Sequence, residues 1–126
     1  MQKIYKVLVL SICIILGFKS NAQTTLSAGD IAFVSVRADN PDSFTVVALT
    51  SIQSGTEINF TDNGWQSSGS FRSNEGDFKW TASKAYSCGD TFKVTTRSGV
   101  SLSTSGDQLF AYQGLSTNPT FIAGIH

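Results

Sequence analysis

The stretch Gly55-Thr56-Glu57-Ile58-Asn59-Phe60-Thr61-Asp62-Asn63-Gly64-Trp65 decides the fold. Ile58 and Phe60 alternate with Glu57, Asn59 and Thr61, the period of two expected of a strand with one buried and one wet face. Asn63-Gly64 follows, a pair that tolerates positive φ and predicts a tight type I′ turn. Trp65 comes directly after it and has two readings, a large core side chain or an exposed aromatic platform.

Toward the N-terminus, Ser54-Gly55 turns the chain out of an apolar run from Phe44 to Leu49. Both faces of that run are largely apolar, as in a strand at the middle of a packed sheet. Asp39-Asn40-Pro41-Asp42 is a turn by composition. Gly-Asp pairs at Gly29-Asp30, Gly76-Asp77, Gly89-Asp90 and Gly106-Asp107 each precede an apolar-rich run: Ile31 to Val36, Phe78 to Trp80, Phe92 to Val94 and Leu109 to Tyr112. Glycine permits the turn and the aspartate accepts hydrogen bonds from nearby amides.

Toward the C-terminus, residues 66–76 are rich in serine and glycine, with Phe71 as the one large apolar side chain, and read as a loop. Thr91 to Arg97 and Val100 to Thr104 are separated by Ser98-Gly99, the spacing of a two-residue hairpin. Asp107 to Gln113 and Thr120 to Ile125 supply the last strands. Eight or so short strands with turn residues between them predict an all-β, two-sheet antiparallel sandwich of immunoglobulin-like architecture, with a small barrel as the runner-up.

The chain opens with Lys3 and Lys6, an apolar run from Val7 to Phe18, and Ser20-Asn21-Ala22, the three-part plan of a secretory signal peptide. The run is too short and wrongly flanked for a membrane span, although an uncleaved anchor is the competing reading. Taking residues 1–22 from 126 leaves 104, enough for one β-sandwich domain over residues 23–126. Lys3, Lys6 and Lys19 leave with the leader, so six basic residues face nine acidic ones and no basic footprint for nucleic acid remains. Cys88 is then the sole thiol. No internal disulfide can form, and a buried thiol beside a turn is expected. The apolar strand Phe121 to Ile125 at the end of the sequence suggests a fragment of a longer secreted polypeptide with further domains.

Four segments together resemble an uncharacterised domain near the N-terminus of large secreted bacterial proteins. They are residues 29–33 (Gly-Asp-Ile-Ala-Phe), 42–49 (Asp-Ser-Phe-Thr-Val-Val-Ala-Leu), 60–65 (Phe-Thr-Asp-Asn-Gly-Trp) and 105–112 (Ser-Gly-Asp-Gln-Leu-Phe-Ala-Tyr). The resemblance implies architecture and an extracellular location, and no activity. A looser likeness is to lamin-tail domains, with Val47-Ala48-Leu49 and Gly64-Trp65 in the places of that family's strand and Gly-Trp. Ala48 stands where that family usually has an acid.

His126 is the only histidine and the last residue, which leaves a Ser-His-Asp triad, a Cys-His pair or a histidine metal site without support. No phosphate loop is present. Paired carboxylates for glycoside hydrolysis are outweighed by turn capping, since most of the acids sit beside glycine or within turns. Calcium is the one metal the composition suits, through Asp39, Asp42 and Asp62, against the plainer reading of the same residues as turn caps; no other cofactor is implied. The expected function is a non-enzymatic extracellular module for adhesion, spacing or accessory duty, with a surface protein or extracellular glycan as partner. The competing classes are a carbohydrate-binding module using Trp65, Trp80 or Tyr86, and an accessory domain of a secreted hydrolase or nuclease.

Overall fold

Period-two alternation becomes seven strands in the computed structural model, which describes residues 22–96 and 99–126. The leader expected over residues 1–22 therefore lies, but for Ala22, outside the described residues. The strands are β1 (Ile31–Arg37), β2 (Ser43–Ala48), β3 (Glu57–Thr61), β4 (Asp77–Thr81), β5 (Thr91–Thr95), β6 (Leu109–Leu115) and β7 (Asn118–Ile125). No helix among the described residues is long and apolar enough to cross a membrane.

Two antiparallel sheets form, one in the order β1-β2-β5 and one in the order β4-β3-β6-β7. They do not close into a barrel, which removes the runner-up. β2 is central as its two-sided apolar pattern predicts, flanked by β1 and β5. Phe44, Val46 and Ala48 of β2 face Ile58 and Phe60 of β3 and Leu109 and Ala111 of β6 in one buried cluster. Aromatic rings fill it in two groups. Phe33, Phe44 and Phe60 meet at centroid distances of 4.8–6.1 Å, and Trp80 stacks on Phe92 at 4.1 Å with Tyr86 beside both.

The expected hairpin between Thr91–Arg97 and Val100–Thr104 does not form. Arg97 and, of its Ser98-Gly99 turn, Ser98 lie outside the described residues, and β5 pairs with β2 instead. Residues 100–104 alternate as a strand would, with Val100 and Leu102 buried, but they join no sheet. Carboxylates replace the missing strand partner: Ser101 N donates to Asp62 Oδ2 at 2.8 Å and Leu102 N to Asp42 Oδ2 at 2.7 Å. The alternation is real, and side chains satisfy the backbone that a neighbouring strand was expected to satisfy.

Ser27-Ala28-Gly29-Asp30 and Ser87-Cys88-Gly89-Asp90 form the same turn twice. Each glycine takes a positive φ, 92° and 94°, and each aspartate Oδ2 accepts from the serine amide three residues back, at 2.7 and 2.8 Å. Cys88 holds the place of Ala28, where the turn directs the side chain outward. It is exposed, which corrects the expectation of a buried thiol. Native protein is therefore expected to react with an aromatic disulfide reagent at Cys88 about as fast as unfolded protein; a rate ten or more times slower would show the thiol to be covered.

No pattern in the sequence signals that residues 24–29 tie the approach to β1 onto the four-stranded sheet, where Gly29 N donates to the Ile122 carbonyl at 2.9 Å. Leu26 is buried, its amide donates to Gln113 Oε1 at 2.8 Å, and Gln113 Nε2 donates to the carbonyls of Thr24 and Glu57. Each sheet edge carries a feature that discourages pairing with another chain: an irregular register and Arg37 in β1, Lys93 in β5, Lys79 in β4, Pro119 in β7.

Candidate functional site

After Phe60 the chain buries three polar side chains in succession, Thr61 at 0%, Asp62 at 1% and Asn63 at 3% exposure. Burial of that kind requires full hydrogen bonding. Thr61 Oγ1 donates to the Gly76 carbonyl at 2.6 Å, and Asn63 Nδ2 reaches the same carbonyl at 3.3 Å. Asp62 Oδ1 accepts from Gly76 N at 2.8 Å and Oδ2 from Ser101 N at 2.8 Å, while Asn63 Oδ1 accepts from Glu75 N at 3.0 Å. Thr61-Asp62-Asn63 is thus a polar clamp on two segments distant in sequence, the end of the 66–76 loop and the 99–102 segment.

The expected type I′ turn at Asn63-Gly64 is absent. Among the described residues no non-glycine has a positive φ, and Gly64 is not among the glycines that do. Asn63 is needed for its side chain, and Gly64 for its lack of one. A Cβ there would lie 2.8 Å from Gln108 Nε2, and the Gly64 carbonyl accepts from Arg72 N at 2.9 Å.

The clamp folds the 66–76 loop over the outer face of the four-stranded sheet. On β6, Phe110 and Tyr112 alternate with the core residues Leu109 and Ala111, so they point away from the sandwich. Tyr112 pairs with Phe121 across a register irregularity in β7. Phe71 drops onto this face, with its ring 6.0 Å from Phe110, 5.3 Å from Tyr112 and 5.7 Å from Phe121. A second, smaller apolar cluster results, outside the main core.

Trp65 stands at the rim of that cluster. Its ring meets Phe71 and Phe121 at 4.9 Å each, nearly perpendicular to both, and 37% of the residue stays exposed. It forms a ridge between two hollows. One, about 490 Å³, is apolar and lined by Ala28, Phe110 and residues 121–124 of β7. The other, about 640 Å³, is polar and lined by Gln66, Ser67, Arg72, Ser73 and Asn74. No acid lines the polar hollow, and among the described residues the Arg72 guanidinium makes no ion pair.

The remaining sequence candidates are not assembled with Trp65. Tyr86 belongs to the main core at 8% exposure and Trp80 is half-buried against it, so of the three alternatives Trp65, at 37%, is the most exposed. The calcium candidates are likewise apart in role. Asp39 is exposed and pairs with Arg37 at 3.5 Å, whereas Asp42 and Asp62 are engaged by backbone amides. Among the described residues no three acidic, histidine or cysteine side chains are grouped as a cation site.

Tyr112 carries a raised pKa. Burial first, then the neighbouring Asp77 carboxylate that accepts its hydroxyl at 3.2 Å, push the phenol up to about 12 from 10.0. The folded state therefore holds this proton more tightly than the unfolded chain, and the contribution to stability is complete below pH 10 and lost between about pH 10 and 12. Urea unfolding midpoints are expected to fall across that window, and less steeply in Tyr112→Phe.

Comparison with family models, curated proteins and solved structures finds no match to the chain.

Proposed function

We propose that the chain is a non-catalytic, immunoglobulin-like module exported from a bacterium, serving adhesion or accessory duty in a longer secreted or cell-surface polypeptide. The strand order supports the immunoglobulin-like part. β2 and β5 are neighbours in one sheet and β3 and β6 in the other, with β7 beside β6, the arrangement of strands B and E against C, F and G. Export rests on the Lys3 to Ala22 leader pattern.

The observation that carries the functional part is the half-open Trp65 ridge, a large aromatic held at the surface by a buried polar clamp. Exposed aromatics on rigid supports serve recognition. Asp42 and Asp62, which hold the successive amides of Leu102 and Ser101, spend oxygens on the backbone, which suits support better than proton transfer.

The test is incubation of the purified protein with extracellular polysaccharides and matrix proteins, with retention and product release both measured. Retention on a polymer without released fragments is the expected result. Catalytic release of fragments that is lost on substituting a single carboxylate would replace the module with an enzyme.

A further inference from the structure

We propose that Trp65 and the polar hollow beside it form a binding site for an acidic polysaccharide, with a sugar ring lying on the indole and its anionic group paired with Arg72. The inference rests on the module reading only for where the ligand is met, outside the cell. Its warrant is the composition of the hollow. Gln66 and Asn74 supply amides, Ser67 and Ser73 hydroxyls, and Arg72 a guanidinium, around an indole that remains 37% exposed. Amides and hydroxyls suit the mixed donors and acceptors of a hydroxylated ring, and the apolar face of that ring suits an indole.

Charge selects the acid. The nine acidic residues of the chain equal the basic ones before the leader is removed and exceed them afterwards, yet none lines this hollow. Arg72 stands in it without an ion pair among the described residues. A guanidinium in a planar fork is suited to a carboxylate or sulfate, which it can hold through two parallel hydrogen bonds. The volume of about 640 Å³ lies within the range of small-ligand sites, roughly 300–1,000 Å³. The ring stacks on Trp65, and the backbone bond from Arg72 N to the Gly64 carbonyl at 2.9 Å fixes the root of the arginine next to the tryptophan.

The experiment is affinity electrophoresis of the purified protein through gels containing polygalacturonate, its methyl ester, dextran sulfate or dextran. Retardation by polygalacturonate, with a dissociation constant about ten times lower than for the methyl ester, is expected, and it should weaken with added salt. Retardation by dextran sulfate but not polygalacturonate would assign sulfate as the anion. Arg72→Gln, at an exposed position where folding is retained, should abolish the preference for the acid form and leave residual binding to the ester. Trp65→Ala should weaken binding of both forms about tenfold or more, with near-ultraviolet dichroism confirming the fold. Equal retardation in acidic and neutral gels, no retardation in any gel, or an acid preference that survives Arg72→Gln, would overturn the assignment. Shortened polymer recovered from the gels would instead overturn the non-catalytic reading while leaving this site standing.

Discussion

Gly76→Ala is expected to destabilise the fold severely, by roughly 4 kcal/mol or more. A Cβ on Gly76 would lie 1.1 Å from the Gly99 carbonyl oxygen and 2.1 Å from its carbon, so no side-chain adjustment can relieve the clash. Gly99 is also tightly opposed from the other side, with φ +111 and a Cβ position 2.3 Å from the Asp77 carbonyl oxygen. The two backbones cross with nothing between them. Separating them pulls Gly76 N from Asp62 and the Gly76 carbonyl from Thr61 and Asn63. Overpacking and the lost bonds together cost roughly 4 kcal/mol or more, against a total stability of about 5–15 kcal/mol for a domain of this size. Ser73→Ala in the exposed part of the same loop should shift stability by no more than about 0.5 kcal/mol. Equilibrium urea unfolding checks both, and a Gly76→Ala protein as stable as the parent would show that the crossing is not tight.

Asp62→Ala is the second large effect, a loss of roughly 3 kcal/mol or more. The side chain is 1% exposed, and its two oxygens each accept a backbone amide at 2.8 Å. Hydrogen bonds to an ionised acceptor contribute about 1.5–3 kcal/mol each, and the amides left behind are stranded away from water. Asp62→Asn keeps the size and one acceptor but turns an NH₂ toward the second amide, so a smaller loss, about half, is expected. In both variants the covering loop loosens, and Trp65 fluorescence should shift to the red as the indole leaves Phe71 and Phe121. An unchanged emission maximum with lowered stability would separate the clamp from the ridge.

The parts of the fold readable from the sequence were those where one residue type answers one local need. Ile58 and Phe60 in β3, Phe44, Val46 and Ala48 in β2, and the turns ending in Asp30 and Asp90 followed from alternation and turn chemistry. The two failures of backbone reading share one physical origin, in that a side chain did work the backbone was expected to do. Asn63-Gly64 has the composition of a tight turn, but Asn63 is consumed in holding Glu75 and Gly76. Val100 to Thr104 has the pattern of a strand, but Asp42 and Asp62 stand in for its partner. Neither acid is close in sequence to the amides it holds, so no local window contains the information.

Trp65 was named as a candidate at the outset, and its position between core and solvent was beyond the sequence. Its exposure is decided by Phe71, a lone aromatic in an otherwise polar loop, and by Phe121 of β7. The signal for the outer cluster was present in Phe110 and Tyr112, which alternate with the core residues of β6 and so needed a cover of their own. Trp80 and Tyr86 carried the same aromatic signal yet pack against or within the core, because β4 directs Trp80 toward Phe92 and the Ile52–Tyr86 bridge turns Tyr86 inward.

Amide hydrogen exchange at Gly76 and Ser101 tests the polar clamp most directly. Both lie outside the strands, in the loop end before β4 and in the segment after Gly99, where amides normally exchange within the fastest class of the protein. With Asp62 holding both, they are expected to exchange as slowly as the amides of β2 and β3, and Asp62→Asn should accelerate the two together. Exchange at the rate of the neighbouring exposed residues, Ser73 and Thr104, would contradict the clamp and with it the rigid presentation of Trp65.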